Sequence, residues 1–289
     1  MINFCHISPP KFQIDCEWIM PNQLMLAHLL EDEHGDYATL HNGISARNAG
    51  LRIMDNSAFE MFMEDRPMFS ESKLLELGRR CKAEYLVMTD YPLEPSIKTI
   101  NVACNQGPQF HEAGFKTFFV PQSELGDLED FITAFAFGCV SPHVDMIGVS
   151  ILAAPHALGI DAKNKGPNRY LSRTVLMQKL RSRGLLDLAA NNGKKIHMLG
   201  MTDGPREIQL MHNARLTGGI YSWDSSAAVW AGMNGIVFDD SPTGLINGKF
   251  ETPVDFGYSD EISEAARNMA MHNCRVMRRY CEGKFNDGE

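Results

Sequence analysis

The sequence predicts an α/β fold in which residues 1–289 form one domain, a (β/α)8 TIM barrel. Short apolar runs recur along the chain, and each is followed by a longer segment of helical character. There are eight such runs, the number of strands that a closed parallel barrel requires. A glycine-rich phosphate loop does not follow the first run, which disfavours an open, doubly wound sheet.

Each predicted strand is short and almost entirely apolar, as is typical of strands buried on both faces by helices. Tyr-Leu-Val-Met from Tyr85 and Thr-Phe-Phe-Val from Thr117 are examples. In chain order, the predicted strands are residues 3–7, 52–54, 85–89, 117–121, 146–151, 195–199, 219–223 and 235–238.

Apolar spacing and capping residues predict the helices. Ser70 or Ser72 begins one of them, and the last and longest covers residues 259–280. Residues 17–30 have helical character and residues 31–43 are polar, which predicts an insertion after the first strand.

Composition excludes several classes of protein. With 44% hydrophobic and 22% charged residues, the chain is neither disordered nor fibrous. Its formal net charge of -9 argues against a protein that coats nucleic acid or an anionic membrane over its whole surface. The sequence has no membrane-spanning run and no secretion signal, so a cytoplasmic location is expected. Seven widely spread cysteines predict reduced thiols.

Polar residues follow the predicted strands, where the reacting groups of a barrel lie. Asp55, Asp90, Gln122 and Asp224 each come directly after an apolar run. At one mouth they can divide acid/base, nucleophilic and recognition roles, because close carboxylates in different surroundings acquire different pKa values. The alternative for each aspartate is to cap the following helix, and Asp224 fits that alternative well.

These segments resemble the guanine transglycosylases, barrel enzymes that exchange guanine in tRNA for a 7-deazaguanine. Residues 55–60, Asp-Asn-Ser-Ala-Phe-Glu, resemble the family's Asp-Ser-Gly-Gly-Phe-Gln motif. The resemblance covers roughly residues 52–237, about two thirds of the chain. Later segments match in order: residues 89–92 the second aspartate segment, 120–123 the glutamine segment, 147–150 the glycine strand, 197–201 the His-x-Leu-x-Gly type segment and 222–225 the nucleophile strand.

The resemblance implies a role for each matched residue. Asp224 would be the nucleophile that attacks C1′ of the nucleoside and holds the sugar covalently. Asp55 would be the general acid/base for the departing and incoming purine. Asp90 would accept hydrogen bonds from the N1–H and exocyclic amine of guanine, because an ionised carboxylate is acceptor-only. Gln122 and the backbone at Gly148 would recognise the O6 and N7 side.

Further contacts to the base are expected around it. Phe59 and a methionine, Met198 or Met201, would stack on the purine, the alternative being core packing. Ser57 lies in the loop beside the base, where the family has glycine, and this difference narrows the loop. His197, in a matched segment, is also expected at the base.

The chain departs from the tRNA enzymes in lacking their zinc cluster, Cys-x-Cys-x-x-Cys with a later histidine. His272, Cys274 and Cys281 do not supply four tetrahedral ligands, so neither a metal nor another cofactor is expected. A shorter barrel without the zinc subdomain, yet with three aspartates, is similar to the phage-type and bacterial DNA guanine transglycosylases. Those enzymes insert 7-deazaguanines into DNA, which then resists restriction enzymes.

The implied partners are duplex DNA with a flipped-out guanosine and a free 7-deazaguanine of the preQ0 type. Residues 163–195 carry nine lysines and arginines against a single acidic residue. Lys163, Lys165, Arg169 and Arg173 are predicted to contact phosphates. A homodimer or a partner protein is compatible with the sequence, and the location is the host cytoplasm if the chain is phage-encoded.

Three alternatives stay open. The first is a tRNA-directed enzyme of the same chemistry, which the lost zinc cluster disfavours. The second is a non-catalytic barrel that binds DNA or a deazapurine, for which a nucleophile at Asp224 has no use. The third is an unrelated hydrolase with paired aspartates, in which water would release free sugar or base and no new base would be incorporated.

Overall fold

A computed structural model describes residues 1–31, 36–47, 49–160, 168–201, 204–238 and 261–285, excepting the side chains of residues 45 and 168–170. The strands are β1 (Asn3–His6), β2 (Gln23–Leu26), β3 (Arg52–Asp55), β4 (Tyr85–Val87), β5 (Lys116–Phe119), β6 (Met146–Ser150), β7 (Lys195–Leu199) and β8 (Ser222–Ser225). They form one sheet in the order β1-β8-β7-β6-β5-β4-β3-β2, and every ladder is parallel.

The two ends of this sheet meet, which makes a nearly closed barrel. A backbone bridge joins Cys5 of β1 to Asn22, the residue before β2. The Asn22 side-chain amide also donates to the carbonyl oxygen of Phe4 at 3.3 Å. The predicted (β/α)8 fold class is therefore confirmed.

Helices follow most of the strands along the chain. Ser70 caps α5 as predicted, since its Oγ accepts from Lys73 N at 3.3 Å. Within the described ranges, no helix is long and apolar enough to span a membrane. The helices are α1 (Pro10–Ile19), α2 (Ala27–Leu30), α3 (Asp36–Arg47), α4 (Ala58–Met63), α5 (Glu71–Arg80), α6 (Ser96–Glu112), α7 (Leu128–Val140), α8 (Ala153–Ala157), α9 (Asn168–Ser182), α10 (Leu185–Asn191), α11 (Pro205–Asn213), α12 (Ala227–Met233) and α13 (Glu264–Cys281).

The strands separate two apolar layers. Alternate side chains such as Ile53 and Phe118 fill the barrel interior. Their chain neighbours, Met54 and Phe119, pack on the outer face with the helices. Because side chains fill the interior, an open site is left at the strand ends, where a barrel positions its functional groups.

Two predicted elements are wrong. Residues 23–26, predicted as helix within an insertion, form β2, so this region is the second βα unit of the barrel. Residues 235–238, predicted as the eighth strand, lie outside the sheet. The Asn273 side chain instead bonds two of their backbone groups, accepting from Phe238 N at 2.7 Å and donating to Ile236 O at 2.9 Å.

Candidate active site

A cavity of about 820 Å³ opens at the carboxyl ends of the strands. Four carboxylates line it, those of Asp55, Glu60, Glu64 and Asp224, and none of the described lining residues is lysine or arginine. The apolar part of its wall is formed by Ile7, Leu24, Leu26, Leu29, Phe59, Ile151, Leu152, Leu199 and Met201.

Asp224 is held at the floor of this cavity by two contacts to one oxygen. Its Oδ1 accepts from Gly200 N at 3.0 Å and lies 2.8 Å from His197 Nε2. The side chain is buried, yet it lines the cavity. The capping alternative does not apply, because Ser225 Oγ, at 2.9 Å, accepts from the first N–H of α12, that of Ala227.

His197 lies beneath Asp224 rather than beside an open space. The ring is fully buried, and it lines neither the main cavity nor the smaller one next to it. Its Nδ1 is 2.7 Å from Ser222 Oγ, and the Phe118 ring packs against it in a T-shaped arrangement with ring centres 5.2 Å apart. The expected contact between His197 and the base is therefore corrected: its contact is with Asp224.

The opposite side of the cavity is formed by Asp55, at the end of β3, and by α4. Asp55 Oδ2 accepts from Ser57 N at 2.9 Å. Burial raises the pKa of Asp55 well above its ordinary value, the Glu60 carboxylate raises it further, and the Ser57 N–H opposes both. Burial also raises the pKa of Glu60, with Glu64 adding to the effect.

Sequence reasoning missed Glu60 and His28 as cavity residues. Glu60 stands inside the matched motif, where the family has glutamine, and that position is the signal for it. His28 follows β2, which was not predicted, so the sequence offered no signal for it. Burial lowers the pKa of His28.

Ser57 shapes the loop between β3 and α4 without lining the cavity. Its φ of 56° lies in the left-handed region that glycine adopts freely. The side chain is fully buried, and its Oγ accepts from His28 N at 3.2 Å and lies 2.9 Å from His28 Nδ1. Its expected place next to the base is thus corrected, although its backbone conformation suits the glycine of the family motif.

A second cavity of about 70 Å³ adjoins the first and contains Asp90 and Gln122. Asp90 Oδ1 accepts from Asn56 Nδ2 at 2.8 Å, and its Oδ2 accepts from Gln122 Nε2 at 2.7 Å. Gln122 Oε1 in turn accepts from Leu93 N at 3.2 Å. Burial raises the pKa of Asp90 to about 6, against the lowering effect of the two amide donors. Asn56 is a further residue that sequence reasoning missed.

The two cavities share part of their walls, including Asp55, Phe59 and Leu199. Phe59 is 46% exposed and therefore available to a ligand. Met198 points to the outer apolar layer and lines neither cavity, so its predicted stacking is wrong. Met201, the other candidate, does line the larger one.

Gly148 lies within the sheet and lines neither cavity. A Cβ at this position would approach Leu199 Cδ1 and Phe118 Cε2 to 2.6 Å. The glycine therefore permits close packing inside the barrel, which corrects its expected contact with the base.

Arg173, predicted to contact phosphate, is fully buried. Its Nε pairs with Glu207 at 2.6 Å, and its other nitrogens donate to the carbonyl oxygens of Val149, Leu199 and Gly200 at 2.7 to 3.1 Å. A guanidinium so enclosed cannot reach a nucleic-acid backbone, and that prediction is wrong. Lys163, Lys165 and the Arg169 side chain lie outside the described residues.

In the part of the chain that the structure describes, no three histidine, cysteine, aspartate or glutamate side chains are grouped so that they could hold a metal ion. No protein-family model matches the chain, and no curated protein matches its sequence. Asp55 and Asp224 are two of the four carboxylates on the main cavity, and Asp90 lies in the smaller cavity beside them.

Proposed function

We propose that the chain is a glycosyltransferase that exchanges guanine in DNA for a 7-deazaguanine of the preQ0 type through a covalent aspartyl-sugar intermediate. One observation carries the proposal: Asp55 and Asp224 line the same cavity in contrasting surroundings. Asp224 receives two hydrogen bonds on one oxygen, whereas burial and Glu60 raise the pKa of Asp55. Carboxylates differentiated in this way can serve as nucleophile and as general acid/base.

In the first step, Asp224 Oδ2 forms a bond to C1′ of the guanosine. The C1′–N9 bond breaks, its electron pair goes to the purine, and protonated Asp55 supplies the proton that neutralises the leaving base. In the second step, the Asp55 carboxylate takes a proton from the incoming base, whose nitrogen attacks C1′. The C1′–Oδ2 bond then breaks and its electrons return to Asp224.

The smaller cavity supplies groups that suit the edge of guanine. Ionised Asp90 can accept from N1–H and the exocyclic amine, because two hydrogen bonds do not exhaust its lone pairs. Leu93 N–H occupies Gln122 Oε1, so an amide N–H is the group that Gln122 retains for a base acceptor such as O6. Phe59 offers an exposed aromatic face for stacking.

The choice of DNA rests on the resemblance to transglycosylases that lack the zinc subdomain. The acidic lining of the main cavity favours a base and sugar inside it and keeps phosphates outside. Phosphate contacts are then expected from Lys163, Lys165 and Arg169.

The test is incorporation of labelled guanine, and of a labelled 7-deazaguanine, into duplex DNA and into tRNA in parallel. We expect label in DNA alone and its loss in Asp224→Ala, with circular dichroism and thermal unfolding showing that the variant is folded. Label in tRNA alone would assign the chain to the tRNA-directed enzymes. Release of base without incorporation would indicate a hydrolase, and no reaction with either nucleic acid would contradict the proposal.

A further inference from the structure

We infer that His197 is a positioning residue for Asp224, which holds one carboxylate oxygen so that the other faces the substrate. The inference rests on the proposed function, because it assumes that Asp224 is the nucleophile. It assigns His197 no contact with the base and no proton transfer.

Ser222, His197 and Asp224 form a chain of contacts at 2.7 and 2.8 Å, the same three residue types as in a serine hydrolase. In a hydrolase, the serine oxygen is the exposed nucleophile and the aspartate is the buried orienting group. Here the order is reversed in space: Ser222 is fully buried and lines neither cavity, whereas Asp224 lines the larger one. Of these three residues, Asp224 is therefore the one that can reach a ligand.

The surroundings of His197 leave its ring one orientation. Its exposure is zero, Ser222 Oγ contacts Nδ1, and the Phe118 ring packs against it in a T-shaped arrangement. A neutral imidazole satisfies both contacts when Nε2–H donates to Asp224 and Nδ1 accepts from the serine hydroxyl. Because the Asp224 carboxylate only accepts, it selects the tautomer with the proton on Nε2, and the serine hydroxyl completes the contact at Nδ1.

The consequence lies at the other oxygen of Asp224. Both His197 and Gly200 donate to Oδ1, and within the described residues no hydrogen bond is made to Oδ2. Oδ2 is then the oxygen with lone pairs available to C1′. When the aspartyl-sugar ester forms, Oδ1 becomes its carbonyl oxygen and keeps both donors. When the ester breaks, the same donors stabilise the returning carboxylate charge.

The test compares His197→Ala with His197→Gln in single-turnover formation of the covalent nucleic-acid adduct. Removing one preorganised donor costs about 100-fold in such sites. We expect His197→Ala to slow adduct formation by about that factor. The KM for the free base, measured in steady-state exchange, should be nearly unchanged. Glutamine, which can place an N–H near the position of Nε2, should recover at least about tenfold. His212→Ala, a change of an exposed histidine on α11, is the matched control and should be neutral.

The outcomes separate this inference from the proposed function. If the wild type exchanges bases and His197→Ala forms adduct at the normal rate, the inference fails alone. Equal impairment in alanine and glutamine, or an effect on KM only, would also overturn it. If the wild type forms no adduct, the proposed function and the inference fall together.

A second measurement requires no catalytic activity and tests the inference even if the His197 variants fail to fold. The ¹⁵N NMR shifts of His197 in the wild type should show a proton on Nε2 and none on Nδ1. A proton on Nδ1 alone would overturn the inference regardless of turnover.

Discussion

The two sides of the main cavity hold their carboxylates in different ways. On the β7–β8 side, Asp224 belongs to a closed network with His197 and Gly200, all of it in strands or at their ends. On the β3–α4 side, Asp55 has one backbone donor and faces the carboxylate of Glu60. The hydrogen bonds of the β7–β8 side fix the direction of the Asp224 carboxylate, as a nucleophile requires. The surroundings on the β3–α4 side raise the proton affinity of Asp55, as an acid/base group requires.

On the β3–α4 side, the largest expected effect comes from Asp55→Asn. Asparagine keeps an acceptor for Ser57 N–H but cannot transfer a proton, so base exchange should fall by about 10²- to 10⁴-fold. Labelled-base incorporation measures this loss. Exchange that stays within about threefold of the wild type would remove the acid/base assignment.

The same variant should gain stability at alkaline pH. The folded-state pKa of Asp55 is raised, so its contribution to folding is complete below its unfolded pKa, about 4, and is lost as pH rises through the folded value. Asparagine does not ionise, so the variant does not lose stability in this way. In urea unfolding, its free energy of unfolding should exceed that of the wild type at pH 8, and this difference should disappear at pH 4. Asp187→Asn, which changes an exposed residue, should show no such difference.

The stability of the β7–β8 side depends on Arg173, which donates hydrogen bonds to the carbonyl oxygens of Leu199 and Gly200 at the end of β7. Removing one partner of a buried ion pair costs about 3–5 kcal/mol, so Arg173→Ala should lower the free energy of unfolding by about that amount. DNA affinity of the fraction that remains folded should keep its salt dependence. A lower salt slope with unchanged stability would restore Arg173 as a phosphate contact.

A smaller effect concerns the base pocket. The pKa of Asp90 is raised to about 6, and only the ionised form accepts both donors of guanine. Below that pH, the Kd for free guanine should rise about tenfold per unit as the ionised fraction falls. Equilibrium binding between pH 4.5 and 8 tests this. The Asp90→Asn variant should bind weakly with no such dependence, and a wild-type Kd independent of pH would exclude Asp90 from recognition.

The alternation of strands and helices predicted the fold class, but two errors cancelled in the count of strands. Residues 23–26 are buried on both faces and show no period that separates a short strand from a helical turn. Residues 235–238 have the apolar character of a strand, yet a side chain distant in sequence, that of Asn273, bonds the backbone of Phe238 and Ile236. Local pattern cannot reveal such a partner.

At the site, the sequence likewise predicts which residues follow the strands but not which side chains of a strand point inward. Asp55, Asp90, Gln122 and Asp224 line the two cavities because strand ends define the mouth of a barrel. Which face of a strand points inward was not predictable, because both faces are apolar in a barrel. Successive side chains alternate, so Met198 faces outward although its neighbour Leu199 lines the cavity.

The smallest expected effect separates strain from hydrogen bonding at Ser57. Glycine relieves the left-handed φ of 56°, which costs other residues about 1–2 kcal/mol, but it loses the hydroxyl contacts to His28 and gains unfolded-state entropy. Ser57→Gly should therefore change stability by less than about 1 kcal/mol, and exchange should persist because the backbone N–H to Asp55 remains. Ser57→Ala loses the contacts and keeps the strain, so it should be less stable than the glycine variant in thermal unfolding. Equal stability of the two variants would mean that packing holds the loop between β3 and α4, and that its backbone conformation carries no strain.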